Sequence, residues 1–401
     1  MTMTPKTRLF LTIFLGVMSA MAPLSTDMYL PALPELTTDF GIPASVAQLT
    51  LTMTMIGMAA GQMIMGPVSD RYGRKGPLLA GMAVFALTAL GCAAVPDIRA
   101  FLVLRFLMGF AGASGIVIAR AIARDVAEGV ELTRFFAILM MVNGLAPILA
   151  PVIGGQVLLF SDWRGIFVLL IAVGLVQSGA TMVYRETLPQ EKRIGNLGAS
   201  FQKFPQLLHD KYFMGHCLTQ CFVFGAFFSY IAGASFLFQN IYHVTPQTFS
   251  YIFGGIGVGL LVCGMVPARL AGRVPDVELL MGSLIVPVLG SVALLGGFLC
   301  HAPIYYTIPV LFITLSIMGA ASFSLALSRQ GKNAGSASAL IGFAQMILGG
   351  LMMPLVGIAG SDTAVPMGII MLTGYTLGLL TFLTLVYPDH RRGGRIMGRI
   401  K

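Results

Sequence analysis

The stretch LTMTMIGMAAGQMIMGPVSDRYGRK, from Leu51 to Lys75, sets a long apolar run directly against a cluster of cations. The run, about 46–68, has the roughly 20 residues that an α-helix needs to cross some 30 Å of hydrocarbon. Working outward, runs of similar length recur at 9–30, 77–95, 100–119, 135–160 and 165–184. A second set follows at 212–238, 248–267, 277–299, 303–327, 335–358 and 364–387. The expected architecture is therefore all-α and integral to the membrane, with twelve transmembrane helices in two pseudo-symmetric six-helix bundles. Its expected parts are an N-terminal bundle (1–184), a cytoplasmic central loop (185–211), a C-terminal bundle (212–387) and a basic cytoplasmic tail (388–401).

Composition excludes the main competitors. Of 401 residues, 56% are hydrophobic and 10% charged, whereas soluble domains run near a quarter charged. The 48 Gly and 25 Met suit helices that pack closely in lipid. The net charge of +9 is spread in short clusters between apolar runs, not gathered into the patch or stripe that nucleic acid requires. Cys92, Cys217, Cys221, Cys263 and Cys300 all fall in apolar segments without metal-like spacing. No HExxH, P-loop or GxSxG pattern occurs, so neither an enzyme nor a cofactor is expected.

The cations also orient the chain. With both termini and the even-numbered connections cytoplasmic, every Lys and Arg lies on the inner side except Arg99, Arg164 and Arg105. So lopsided a split follows the positive-inside rule and fixes both helix parity and direction in a multi-pass protein. Lys6, Arg8 and the following apolar run imitate a cleavable leader, but Pro23 after Ala20-Met21-Ala22 and the six-plus-six count favour retention. The halves repeat weakly: GMVPARLAGR, from Gly264 to Arg273, echoes Gly66–Lys75, with Ala268 in place of Asp70. Repeats of this kind mark secondary transporters, whose sites lie at mid-membrane.

Ionisable groups inside hydrocarbon are costly and so point to function. Asp27, in LSTDMYLPALP, is the one acid clearly inside an apolar run, and Arg105, in FLVLRFLMGF, the comparable cation. Placing the end of the first helix at Pro31 puts both about 6–8 Å below the outer boundary. Asp27 reads as a proton-binding carboxylate: burial disfavours its charge, while Arg105 or an incoming cation favours it. The alternative is a permanent ion pair between helices. Asp70, Arg71, Gly73, Arg74 and Lys75 form a short loop that is either a conformational latch or a purely topogenic cluster. In NGLAPILAPVIGG, from Asn143 to Gly155, Pro147 and Pro151 invite bending and Gly154 and Gly155 close packing. Asn143, Gln220, Tyr230 and Gln345 are candidate substrate contacts, with Gln48, Gln62, Gln239, Tyr251 and Tyr375 as further polar lining. His216 and His243 read as helix-end residues.

Together these residues resemble the major facilitator superfamily, in particular its twelve-helix drug–proton antiporters. Gly66, Asp70, Arg71, Gly73, Arg74 and Lys75 match the signature between helices two and three. Arg105 with Gly109 is similar to the fourth-helix motif that contains an essential arginine. LSTDMYLPALP and RETLP (Arg185–Pro189) resemble the bicyclomycin/chloramphenicol resistance (Bcr/CflA) subfamily. The fifth-helix motif departs from its usual form, with Ala146 and Ala150 where glycines are usual. Ser19 stands where some relatives carry a second acid. The resemblance implies a monomeric, proton-coupled antiporter of the bacterial inner membrane that exports small amphipathic drugs by alternating access. Asp27 and Arg105 would couple protons, and 66–75 together with Pro147, Pro151, Gly154 and Gly155 would serve as the conformational switch. Export of a metabolite such as a nucleoside or amino acid on the same scaffold is the alternative.

Overall fold

The computed structural model describes residues 5–193, 204–270, 276–315 and 334–388, together with 274 and 326. All its regular elements are helical. The first part comprises α1 (Pro5–Thr26), α2 (Leu33–Phe40), α3 (Ala44–Tyr72), α4 (Lys75–Ala94), α5 (Ile98–Val126), α6 (Gly129–Val157) and α7 (Trp163–Val183). The second comprises α8 (Phe204–His209), α9 (Lys211–Phe236), α10 (Pro246–Leu270), α11 (Asp276–Leu299), α12 (Ile304–Leu315), α13 (Ala334–Val356) and α14 (Val365–Thr381). Among the described residues ten helices are long and apolar enough to cross a membrane, and the bent pair Arg8–Met21 and Pro23–Phe40 makes an eleventh. The shorter α12 opens the span expected at 303–327, most of whose remainder lies outside the described residues. So do Gly272 and Arg273 of the second-half repeat.

Two compact units emerge. The first gathers residues 1–42, 46–198 and 244–254; the second gathers 43–45, 199–243 and 255–401. In the first, α1 packs on α5 and α6, and α4 on α5 and α7. Glycine also makes a close approach of α3 to α5 possible: a Cβ on Gly109 of α5 would strike the Thr54 carbonyl of α3. In the second, α9 packs on α13 and α14, and α11 on α12 and α14. Cys217 and Cys221 lie buried in a cluster with Leu207, Phe213 and Ile341, where they act as small apolar side chains.

The first span departs from the simple helix expected over 9–30. It ends at Thr26, passes through a turn and a short 3-10 segment (Leu30–Ala32), and resumes as α2, with a bend of 43°. Pro23 has no N–H to bond the Ser19 carbonyl, which weakens the helix just before the break. Pro31 and Pro34 suit the first turn of a new helix, where that N–H is unneeded. Gly41, at φ +61°, closes α2. Asp27 therefore sits in a break and not within a regular helix. His216, near the start of α9, is fully buried.

Candidate functional site

Asp27 is 7% exposed, and its carboxylate accepts from Thr26 Oγ1 at 3.1 Å. Its backbone N–H donates to the Pro23 carbonyl at 2.8 Å, the last helical bond before the break. No cation comes within 4.0 Å of it among the described residues, so Asp27 and Arg105 do not form an ion pair.

Arg105, wholly enclosed, bonds backbone instead. Its Nη1 donates to the Ser25 carbonyl at 2.8 Å. That carbonyl belongs to the last turn of α1, where carbonyls lack helical partners, and a cation there complements the helix dipole. The guanidinium lies 4.9 Å from the centre of the Tyr29 ring and 5.6 Å from that of Phe167. Phe101 and Trp163 continue the aromatic packing, each meeting Phe167 edge-on. Nε and Nη2 have no partner among the described residues. The arginine thus reaches from α5 to the broken end of α1, with two donors left over.

The break is also where α6 comes closest. A Cβ on Gly154 would collide with the Met28 carbonyl, next to Asp27, so only glycine permits this contact. Pro147 and Pro151 lie within α6, two turns and one turn before it. Gly155 meets Ser250 of α10, and its carbonyl accepts from Gln247 Nε2 at 3.1 Å. Tyr251 accepts from Gln156 Nε2 at 2.9 Å.

The 66–75 segment is mostly helical, because α3 runs through Pro67 to Tyr72 and leaves Gly73 and Arg74 as the turn. Gly73 adopts φ +93°, a left-handed backbone that glycine favours. Asp70, on the last turn of α3, pairs with Arg74 Nη1 at 2.5 Å, and Arg74 Nε reaches Asp125 of α5 at 2.8 Å. Ser69 Oγ accepts from Arg74 Nη1 at 2.8 Å. Arg71 lies over the Tyr72 ring, and Lys75 Nζ donates to the Met182 carbonyl at 2.7 Å.

Two acids that the sequence assigned no role of their own complete this network. One is Asp125. The other is Glu186, whose Oε1 and Oε2 accept from the Arg74 and Lys75 N–H groups at 3.0 and 3.1 Å. It thereby caps α4 from the far side of α7. Both acids sit beside cations on the basic side, and that was the available signal, but backbone donors leave no mark on a sequence.

Partial burial pushes the Glu186 carboxyl up, yet four backbone N–H groups outweigh that and hold it below its ordinary 4.5. A carboxyl lowered in the folded state stabilises above its unfolded value and loses that contribution as pH falls through the native one. Glu186→Gln should therefore cost on the order of 1 kcal/mol at pH 7, the group being substantially exposed. Thermal melts should show the difference vanishing in acid well below pH 4.5. A gap that persists there would mean that shape, not charge, matters at this cap.

Of the candidate substrate contacts, Gln220 and Gln345 meet in the second unit, with Gln345 Nε2 donating to Gln220 Oε1 at 3.0 Å. Tyr230, ten residues along α9, stands about 15 Å from Gln220. Asn143 belongs to the first unit and donates to the Leu139 carbonyl of its own helix at 3.0 Å.

Membrane spans in two units, an acid and an arginine at a broken first helix, and a salt-bridged loop after the second span are features of a transporter. The sequence profile of the Major Facilitator Superfamily matches residues 15–354, and the chain belongs to that family. It is 41% identical over 389 residues to the uncharacterized MFS-type transporter YdgK of Bacillus subtilis, covering 95% of this chain and 96% of that one. It is 32% identical over 358 residues to the bicyclomycin resistance protein homolog of Haemophilus influenzae, covering 88% and 90%. The fold matches that of a D-xylose-proton symporter with a TM-score of 0.75 at 14% identity, over 94% of this chain and 98% of that one.

Proposed function

We propose that the protein is a proton-coupled antiporter that exports small amphipathic drugs, of the bicyclomycin or chloramphenicol kind, by alternating access. It would act as a monomer in the bacterial inner membrane with both termini cytoplasmic. The observation that carries the reading is Asp27: a buried carboxylate at a helix break, held by one hydroxyl and, among the described residues, by no cation. So enclosed an acid is least costly when neutral, and it can take a proton from outside without first breaking a salt bridge. Deprotonation on the inner side would restore a charge able to attract the substrate. Arg105, with two donors uncommitted, would hold a carbonyl or anionic group of that substrate. The 66–75 network would stabilise one conformation, and α6 would bend at its prolines. The relative named for bicyclomycin resistance supports the substrate class.

The test uses purified protein in liposomes that carry a pH-sensitive dye and an imposed proton gradient. Chloramphenicol, bicyclomycin and a nucleoside panel are added in turn. A drug should move protons through the wild type and not through Asp27→Asn. Equal proton movement in the variant would end the role given to Asp27. A response to nucleosides alone would replace drug export by metabolite export.

A further inference from the structure

The C-terminal unit contains a cavity of about 490 Å³ where the ends of α9 and α11 and the start of α14 meet their connecting turns. That size falls within the roughly 300–1,000 Å³ of small-molecule sites. Leu237, Ile241, Phe298 and Val365 give it apolar walls, while Tyr242 and Asp362 supply polar groups.

The walls are built, not left over. After Phe236 the chain winds as a π-helix over Leu237–Ile241, a widened turn that often marks functional sites. It brings Leu237 and Ile241 to the same side. Tyr242 then ties two elements together: its hydroxyl donates to the Ala302 carbonyl at 2.8 Å and meets Thr307 Oγ1 at 2.5 Å. The α11–α12 turn includes His301 at φ +51°, a left-handed conformation that is costly for a residue with a side chain.

Charge selects the ligand. The turns that line the cavity, 241–243, 299–304 and 356–365, carry one formal charge at neutral pH, that of Asp362. Its carboxylate accepts from Ser361 Oγ at 3.1 Å and forms no ion pair among the described residues. We infer that this cavity binds a small amphipathic monocation, an apolar body capped by a protonated amine, with Asp362 as its counter-ion. An anion would meet a like charge, and a dication would leave one charge unmatched. The site lies wholly within the second unit, apart from Asp27, and does not depend on the antiport reading.

Full-length protein in nanodiscs would be titrated with N,N-dimethyl-1-naphthylmethylamine and, separately, with neutral 1-naphthylmethanol. Binding would be read by naphthyl fluorescence and by protection of Cys300 from a maleimide. Cys300 is exposed and lies between the lining residues Leu299 and His301. The amine should bind saturably and protect Cys300. Asp362→Asn should weaken it about fivefold, as for an exposed ion pair, without changing the alcohol. Val365→Phe should fill the space and remove amine binding. Equal amine affinity in wild type and Asp362→Asn would overturn the inference. So would an alcohol that binds as tightly as the amine, which would make the cavity a neutral recess for lipid. Loss of the amine in Asp27→Asn but not in Asp362→Asn would place the probe elsewhere and likewise refute the site.

Discussion

Replacing Arg105 with methionine should leave the protein at least as stable as the wild type while reducing drug-driven proton movement to background. Arg105 is fully enclosed, with one hydrogen bond to the Ser25 carbonyl and no carboxylate in reach among the described residues. Removing a guanidinium from water costs several kcal/mol. Two ring faces return about 0.5–2 kcal/mol each, and the hydrogen bond about 1.5–3 kcal/mol. Methionine fills much of the same volume without desolvating a charge, and apolar replacement of buried charges is often neutral or stabilising by about 1–4 kcal/mol. Thermal melts in detergent, run beside the liposome assay, separate the two roles. A clear fall in melting temperature would make Arg105 a clamp for the end of α1, with loss of transport a consequence of damage to the fold.

Gly154→Ala should abolish coupled transport and cost on the order of 1–3 kcal/mol, the usual penalty for overpacking a tight contact. The added methyl would strike the Met28 carbonyl, which belongs to backbone and cannot swing aside as a side chain would. Either α6 retreats or the turn that holds Asp27 shifts, and a small displacement of a coupling group is expensive in rate. Gly179, on α7, makes the control: its Cβ would meet nothing within 4 Å. Gly179→Ala should be neutral or stabilise by about 0.4–1 kcal/mol through the unfolded chain. If both variants transport normally, the contact between α6 and the break carries no coupling.

The spans could be read from the sequence because hydrocarbon thickness imposes a length that few soluble segments reach, as at 46–68 and 165–184. Asp27 and Arg105 stood out for the same reason, since charges in such runs are rare. What supports them did not show. Arg105 is held by a main-chain carbonyl and Glu186 by main-chain amides, and every residue type supplies those groups. The break after Thr26 was hidden because Pro31 looked like an end, whereas proline also begins helices. Helix periodicity could place Tyr230 on the same helix as Gln220, but pairing Gln220 with Gln345 required the packing of α9 against α13.

The cap that Glu186 provides also bears on how the protein is made. Arg74 can find Asp125 once α5 has left the ribosome, but the amides of Arg74 and Lys75 await an acceptor 111 or more residues downstream. Until α7 has been inserted, the start of α4 has donors facing water and no carboxylate to receive them. The loop before α4 is therefore completed last, so a chain stalled before residue 186 would hold the Arg74–Asp125 pair without the acceptor that caps α4.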